Sequence, residues 1–181
     1  MDRQPSDTEL AARVALLGDR RAFDRLVCRH QSRLRRFFMA QTLGDAQLSD
    51  DLAQDTFVKA YLGLAGFRGL SSFSTWLFRI ACRVLCDHAR SSRPTLDIDG
   101  RTGLEARATP PDAGLGIDIY RALALLSPEQ RTCITLQLID GQPLGKIAKI
   151  TGLPINTVKS HLKRGKERLA DYLRKNGYDK Q

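Results

Sequence analysis

Residues 143–169 read PLGKIAKITGLPINTVKSHLKRGKERL, and this stretch decides the fold. Apolar residues recur at helical spacing on both sides of a short break, which predicts two helices rather than strands. The first helix is predicted over 143–150 and the second from Ile155 to about Leu173. The four residues between them, 151–154, include a glycine and a proline and therefore predict a turn.

Three residues at fixed spacing make this pair of helices specific. Ala148 is small enough for the two helices to cross closely, and Val158 is placed to lock the second helix onto the first. Gly152 supplies the positive φ that a tight turn after a helix requires. Together, these positions predict a helix-turn-helix motif.

The second helix of this motif combines an apolar face with a basic one. Lys159, Lys163 and Lys166 recur at i, i+4 and i+7. From Leu144 to Gln181 there are ten Lys and Arg residues against three Asp and Glu residues, so this segment holds +7 of the net charge of +9. A helix that enters the major groove presents such side chains to base edges and phosphates. The alternative is a solvated charged helix in a bundle.

The composition of the whole chain points the same way. It has 181 residues, with 29 Lys and Arg against 20 Asp and Glu, and a hydrophobic content of 42% that allows a packed core. The charge excess indicates a polyanionic partner: nucleic acid, an anionic membrane surface or an acidic protein. No apolar run approaches the ~20 residues of a membrane span, and the N-terminus lacks a signal-peptide core. We therefore expect a cytoplasmic protein with no direct membrane insertion.

Helical periodicity over most of the chain predicts an all-α fold of two small helical domains joined by a flexible linker. Residues 1–90 form the first predicted domain, with four helices. Their ends are predicted near Gly18, Gly44, Ala65 and Arg90. Residues 91–116 contain three prolines, four glycines and no periodic apolar face, which predicts the linker. Residues 117–181 form the second domain.

A helix start is also predicted in the second domain. Ser127-Pro128-Glu129-Gln130 combines an N-cap serine, a proline at the first helical position and a capping-box glutamine. The helix that begins here is predicted to continue to Gly141.

Three segments resemble the extracytoplasmic-function (group IV) sigma factors of the sigma-70 family. Residues 50–61, DDLAQDTFVKAY, are similar to region 2.2, and residues 67–81, FRGLSSFSTWLFRIA, to regions 2.3 and 2.4. Residues 126–131, together with the helix-turn-helix, are similar to region 4. The resemblance implies a region 2 helical bundle followed by region 4. It also implies a factor that binds core RNA polymerase and directs promoter-specific transcription initiation.

The resemblance further implies three groups of site residues. The implied polymerase contacts are the β′ clamp helices and the β flap, and binding to the clamp helices falls to Asp51, Gln54 and Asp55. The implied −10 DNA-binding residues are Lys59, Phe67, Arg68, Ser72, Phe73, Trp76, Phe78, Arg79 and Arg83. The implied −35 DNA-binding residues are Thr157, Lys159, Ser160, His161, Lys163 and Arg164. Arg83, His161 and Lys163 depart from residues common in the family, so the promoter sequence is not implied.

The residue types of the −10 group suit opened DNA independently of the resemblance. Aromatic rings stack on unpaired bases, and arginines contact phosphates. Gly69 and the neighbouring serines allow the backbone to approach the strand closely. The alternative for Phe67, Phe73 and Trp76 is plain core packing. An ordinary solvated face is the alternative for the polar residues of the third helix.

Beyond polymerase and promoter DNA, the resemblance implies a further partner. An anti-sigma factor, either soluble or anchored at the inner membrane, would hold the protein inactive until a signal arrives. No enzyme activity, cofactor, metal or ATP is implied. The energy for strand opening would come from the new contacts between protein and DNA.

Other functions remain as alternatives. A regulator with only a C-terminal DNA-binding domain would need a sensor domain before it, and the alternating strands and helices of a receiver are not visible. The run from Gly141 to Lys146 superficially resembles a phosphate loop, but it is one residue short and no Ser or Thr follows the lysine.

The four cysteines raise the last alternative, a metal or redox protein. Cys82 and Cys86 are four residues apart with His88 nearby, and Cys28 precedes His30 by two. Thiolates and histidine can bind zinc, but the spacing of a zinc finger is absent. All four cysteines, including Cys133, occur in apolar helical contexts, which favours free thiols in a reducing compartment.

Overall fold

The computed structural model describes residues 4–91 and 114–178, and every regular element in these ranges is a helix. The N-terminal half consists of α1 (Asp7–Leu17), α2 (Arg20–Gln41), α3 (Ala46–Gly63) and α4 (Phe73–Ser91), with a 3₁₀ turn at Leu64–Gly66. The C-terminal half consists of α5 (Gly114–Ala124), α6 (Pro128–Ile134), α7 (Leu144–Thr151) and α8 (Ile155–Lys175). The all-α prediction is thereby confirmed. The predicted linker, 91–116, lies largely outside the described residues, and α5 begins inside its last part.

Polar side chains fix where several helices begin. Asp19 accepts a hydrogen bond from the Ala22 amide at 3.1 Å, and Asp45 accepts one from the Leu48 amide at 2.9 Å. The predicted capping box of α6 is confirmed, because the Ser127 hydroxyl accepts from the Gln130 amide and the Gln130 side chain accepts from the Ser127 amide. Each cap satisfies amide groups that the first turn of a helix leaves unpaired.

The helix predicted from Pro128 to Gly141 is present, but it changes type part-way and ends at Ile139. Helix α6 ends at Ile134, and Thr135–Ile139 form a π-helical turn. The Asp140 amide donates to the Thr135 carbonyl at 3.1 Å, five residues back. Apolar periodicity cannot distinguish this wider turn from an α-helix, because both bury residues at similar spacing.

The two halves of the chain pack against each other. One cluster of buried apolar residues runs from Leu34, Phe38 and Phe78 in the first half to Leu136 and Ile147 in the second. Helix α7 lies against α4, and the π-helical turn and α6 lie against α2. The first half also has its own core at the other end, where α1 packs on α2 and α4.

Gly165, for which the sequence offers no reason, lies where α8 packs closely against Ile134 of α6. A Cβ atom at this position would lie 2.8 Å from Cγ1 of Ile134, which is shorter than any ordinary carbon contact. Helix α8 can therefore approach α6 this closely only with a glycine there. The intrinsic cost of a helical glycine is about 1 kcal/mol relative to alanine.

Candidate nucleic-acid interface

The helix-turn-helix has the geometry that its sequence predicts. Gly152 has a φ of 74° and ends α7, and its amide donates to the Ala148 carbonyl at 2.9 Å. The Thr151 hydroxyl donates to the Ile147 carbonyl at 2.8 Å and accepts from the Leu153 amide at 3.3 Å, which fixes the turn. Val158 is fully buried at the crossing of the two helices.

Helix α8 presents its basic residues to solvent. Lys159, Ser160, Lys163 and Arg164 are exposed, whereas Thr157 and His161 are half-buried beside them. Within residues 4–91 and 114–178, no carboxylate pairs with Lys159, Lys163 or Arg164. These cations are therefore available to phosphates and base edges.

The start of α8 adds to this positive surface. Pro154 is its N-cap and supplies no side-chain hydrogen bond to the first turn. The amide groups of that turn thus point outward without a side-chain acceptor, at the positive end of the helix dipole. Phosphate groups bind well at such a helix end.

The predicted −10 residues divide into two sets in the structure. Phe73 is 1% exposed and Phe78 0%, so both belong to the core rather than to a surface on which bases could stack. Phe67 and Trp76 are half-buried, with their ring centroids 5.2 Å apart, and they retain some accessible face. Core packing thus accounts for the two phenylalanines of α4.

The basic members of the −10 group remain at the surface. Arg68, Arg79 and Arg83 are exposed, and no carboxylate in the described parts of the chain pairs with them. Lys59 differs, because its ammonium lies 3.2 Å from Asp55 and 3.7 Å from Asp87.

Ser72 is exposed and has a structural partner. Its hydroxyl lies 2.8 Å from that of Thr75 and accepts from the Thr75 amide at 3.3 Å. It thereby caps the start of α4.

A separate groove of about 720 Å³ lies between α2 and α3. Phe23, Val27, Phe57 and Tyr61 form apolar parts of its wall, and charged residues such as Arg35 stand at its side. An apolar centre with a polar rim is the usual anatomy of a protein–protein interface.

Of the residues predicted to bind polymerase, only Gln54 lines this groove. Asp51 and Asp55 are exposed on the adjoining face of α3. Sequence reasoning from the polar face alone missed the apolar wall. The sequence feature that indicates this wall is the pair Phe57 and Tyr61, which are four residues apart on the same helix.

The described residues contain no group of His, Cys, Asp and Glu side chains that could hold a metal ion. Cys28 and Cys86 are exposed, Cys82 is half-buried and only Cys133 is buried, so the cysteines do not share one environment. In the described part of the chain, no helix is long and apolar enough to cross a membrane.

Comparison with known proteins decides the family. Residues 26–95 match the model for sigma-70 region 2, and residues 117–169 match the model for sigma-70 region 4. The chain is 35% identical to the RNA polymerase sigma-H factor of Pseudomonas aeruginosa, over 91% of this chain and 92% of that protein. It is 31% identical to the ECF RNA polymerase sigma factor SigW of Bacillus subtilis, over 87% and 91% of the two chains.

The chain belongs to the extracytoplasmic-function sigma factors of the sigma-70 family. It is therefore a transcription initiation factor and not an enzyme; it binds core RNA polymerase and promoter DNA. Helices α2 to α4 form region 2, and α5 to α8 form region 4 with its helix-turn-helix.

Solved structures of sigma factors share this arrangement. The structure of CnrH in complex with the cytosolic domain of CnrY has a TM-score of 0.71, with 28% identity over 93% of this chain and 97% of that chain. The sigma factor RpoE in complex with the anti-sigma factor NepR, from Bartonella quintana, has a TM-score of 0.67, with 26% identity over 84% and 96%. Both likenesses extend over most of this chain.

Proposed function

We propose that the exposed face of α8 reads the −35 element of the promoter. Thr157, Lys159, Ser160, His161, Lys163 and Arg164 are the residues we assign to it. The observation that carries the assignment is the row of unpaired cations on the solvent side of the second helix of a helix-turn-helix. Major-groove docking would release counterions, so binding should weaken as salt rises.

Region 2 would hold the −10 strand with a smaller set of residues than the sequence suggests. Arg68, Arg79 and Arg83 are exposed and pair with no carboxylate among the described residues, and Phe67 and Trp76 are the accessible rings. Lys59 and Ser72 would complete the set. Phe73 and Phe78 would act indirectly, because as core residues they fix the position of α4 without touching DNA.

The groove between α2 and α3 would receive the β′ clamp helices of the polymerase. Its apolar wall and charged rim suit the burial of a helical partner. Gln54 would contact that partner inside the groove, and Asp51 and Asp55 would contact it at the edge. Region 4 would bind the β flap, so that the polymerase holds the two domains at separate sites.

An anti-sigma factor would control the protein in the cytoplasm or from the inner membrane. Two similar solved sigma factors are seen with partner chains, and one of these is named an anti-sigma factor. The domain borders that we propose are 1–90 for region 2, 91–116 for the linker and 117–181 for region 4.

Two sets of variants test these roles against each other. Lys163→Ala and Arg164→Ala should weaken recognition of the −35 element and leave polymerase binding intact. Asp55→Ala should instead weaken polymerase binding first. Affinity for fluorescently labelled core polymerase and for a duplex −35 probe would be measured for every variant. Equal loss of polymerase binding in the α8 variants, or unchanged polymerase affinity in Asp55→Ala, would contradict the assignment.

A further inference from the structure

Helix α1 precedes residue 26, where the match to sigma-70 region 2 begins, and none of its residues has an assigned role. Its first residue, Asp7, ties it to α2. One carboxylate oxygen of Asp7 accepts a hydrogen bond from Arg29 at 2.9 Å, and the other lies 2.8 Å from Nε2 of His30. Although burial raises it, these two hydrogen bonds hold the pKa of Asp7 below its ordinary value of 3.8. Because an ionised carboxylate only accepts hydrogen bonds, Nε2 of His30 is the donor.

His30 connects this tie to the aromatic rings of region 2. The His30 ring is buried, and its centroid lies 5.2 Å from that of Phe73. The Phe73 centroid in turn lies 5.9 Å from that of Phe67 and 5.7 Å from that of Trp76. Four rings in contact therefore lead from the buried His30 to Phe67 and Trp76, the two accessible rings assigned to the opened strand.

The hydrogen bond to Asp7 sets the orientation of the His30 ring. The other ring nitrogen, Nδ1, is buried and has no hydrogen-bond partner in the part of the chain that the structure describes. An unpaired buried nitrogen lowers stability. The ring is thus held by one polar contact at Nε2 and by its packing against Phe73.

Helix α1 also adjoins the loop 67–72, which we call the −10 loop. A Cβ atom added to Gly69 in this loop would lie 3.7 Å from Cγ2 of Thr8, in the first turn of α1. Leu10 is fully buried in the same core as Leu64, which begins the 3₁₀ turn that leads into the loop. The first turn of α1 therefore supports the loop from behind.

Such support matters because bases of an opened strand stack only on rings that are already in place. Phe67 belongs to a loop, Trp76 belongs to a helix, and Phe73 lies between them. Gly69, with a φ of 69°, adds no side-chain contact of its own to hold the loop. Fixing the rings before DNA arrives reduces the ordering cost of binding.

We propose that Asp7 and His30 are positioning residues for −10 recognition, which hold the Phe67 and Trp76 rings where bases of the opened strand can stack and do not touch DNA themselves. The inference rests on the proposed role of these two rings. It gives α1 a function in promoter recognition.

The first test uses the fluorescence of Trp76, the single tryptophan, in the free full-length protein. Asp7→Ala removes the tie to both Arg29 and His30. His30→Gln keeps a donor for Asp7 but removes the ring that packs against Phe73. We expect both variants to shift the Trp76 emission to longer wavelength and to increase its quenching by acrylamide, because the ring becomes more exposed to water.

The second test measures binding by the holoenzyme that each full-length variant forms with purified core polymerase. Fluorescence anisotropy gives its affinity for a labelled single strand that carries the −10 sequence selected in run-off transcription, and for a duplex −35 probe. We expect both variants to weaken binding of the −10 strand about fivefold or more, the loss expected when one base no longer stacks. The −35 affinity should stay within about twofold of the wild-type value, since α8 is unchanged.

Arg13→Ala is the matched control. Arg13 lies towards the other end of α1 and donates to Asp19, directly before α2, at 2.6 and 3.0 Å. Its loss breaks a second tie between these helices without touching His30, and it should change neither the Trp76 emission nor the −10 affinity. If Arg13→Ala weakens −10 binding as much as Asp7→Ala does, attachment of α1 in general is responsible and the proposal is overturned.

The remaining outcomes separate this inference from the proposed function. Thermal unfolding followed by circular dichroism shows which variants fold, and His30→Gln decides the question if Asp7→Ala does not fold. Folded variants with wild-type Trp76 emission and −10 affinity would overturn the positioning role. If the wild-type holoenzyme binds the −10 strand no better than a scrambled strand, the proposed −10 role fails instead. The Trp76 emission then still shows whether Asp7 and His30 position the ring.

Discussion

Helices α8 and α4 both carry basic residues assigned to DNA, but they are built differently. On α8, the buried residues are Val158, Leu162 and Gly165, and none of them is assigned to DNA, because the assigned residues are exposed or half-buried. On α4, the assigned residues are mixed with the core: Phe73 and Phe78 are buried, while Arg79 and Arg83 are exposed. On α8, the residues that stabilise the fold are different from those assigned to DNA. On α4, the residues assigned to DNA include core residues that stabilise the fold.

The difference follows from the DNA that each helix would meet. A duplex offers a groove of fixed shape, so a preformed helix with a polar face is sufficient. An opened strand needs aromatic surfaces and a loop at the right place, and such a surface is costly to expose in the free protein. We therefore expect α8 to tolerate substitution of its assigned residues without loss of stability, whereas substitution of Phe73 or Phe78 on α4 should destabilise the fold.

The largest expected effect is on Phe73. Phe73→Ala removes a fully buried ring and should lower the free energy of unfolding by about 3–5 kcal/mol. Urea unfolding followed by circular dichroism measures this change. Arg68→Ala, at an exposed neighbouring position, is the control and should change stability by no more than about 0.5 kcal/mol. If Phe73→Ala is as stable as the wild type but no longer binds the −10 strand, the Phe73 ring contacts DNA and is not a core residue.

Gly165 tests the packing that supports α8. Alanine usually stabilises a helix by about 1 kcal/mol relative to glycine, but here its Cβ would meet Ile134 at 2.8 Å. We expect Gly165→Ala to lower the free energy of unfolding by about 1–3 kcal/mol through overpacking. Gly145, where an added Cβ meets nothing within 4 Å, is the matched control, and Gly145→Ala should be neutral or stabilising. A stabilised Gly165→Ala protein would show that α6 and α8 are not so closely packed.

The assigned residues of α8 should affect DNA binding alone. Lys163→Ala or Arg164→Ala should weaken binding to a duplex −35 probe by about 1–3 kcal/mol if the side chain reads a base. If it contacts only phosphate, the slope of log K against log salt should fall by about 1. Fluorescence anisotropy over a salt series distinguishes the two cases. The free energy of unfolding should be unchanged within about 0.5 kcal/mol. A larger change would show that these residues of α8 also stabilise the fold.

The smallest expected effect is a response of the N-terminal half of the protein to acid. Although burial raises it, hydrogen bonds from Arg29 and His30 bring the pKa of Asp7 below its ordinary value of 3.8. The stabilisation is therefore fully present above pH 3.8 and is lost as the pH falls through the lower, folded-state pKa. The fluorescence of Trp76, the single tryptophan, can follow unfolding of this region. Asp7→Asn should flatten the pH dependence in this range, and an unchanged profile would show that Asp7 is not the responsible group.

Local signals in the sequence were sufficient for much of the fold. Gly152 predicted the turn of the helix-turn-helix, and the Ser127 and Gln130 capping box predicted the start of α6, because each depends only on residues nearby in the chain. The burial of Phe73 and Phe78, the groove beside Phe57 and the reason for Gly165 could not be read in this way. They depend on which helices meet, and that information is distributed over distant parts of the chain.

The most direct test of the account is run-off transcription from a mixed promoter library with purified bacterial core polymerase. We predict new, specific transcripts with this protein, whose templates share both a −10 and a −35 element. With Arg164→Ala, the selected templates should lose their preference at the −35 element alone. Absence of specific transcripts, with duplex DNA still bound in a gel shift, would contradict the assignment of the two domains to two promoter elements.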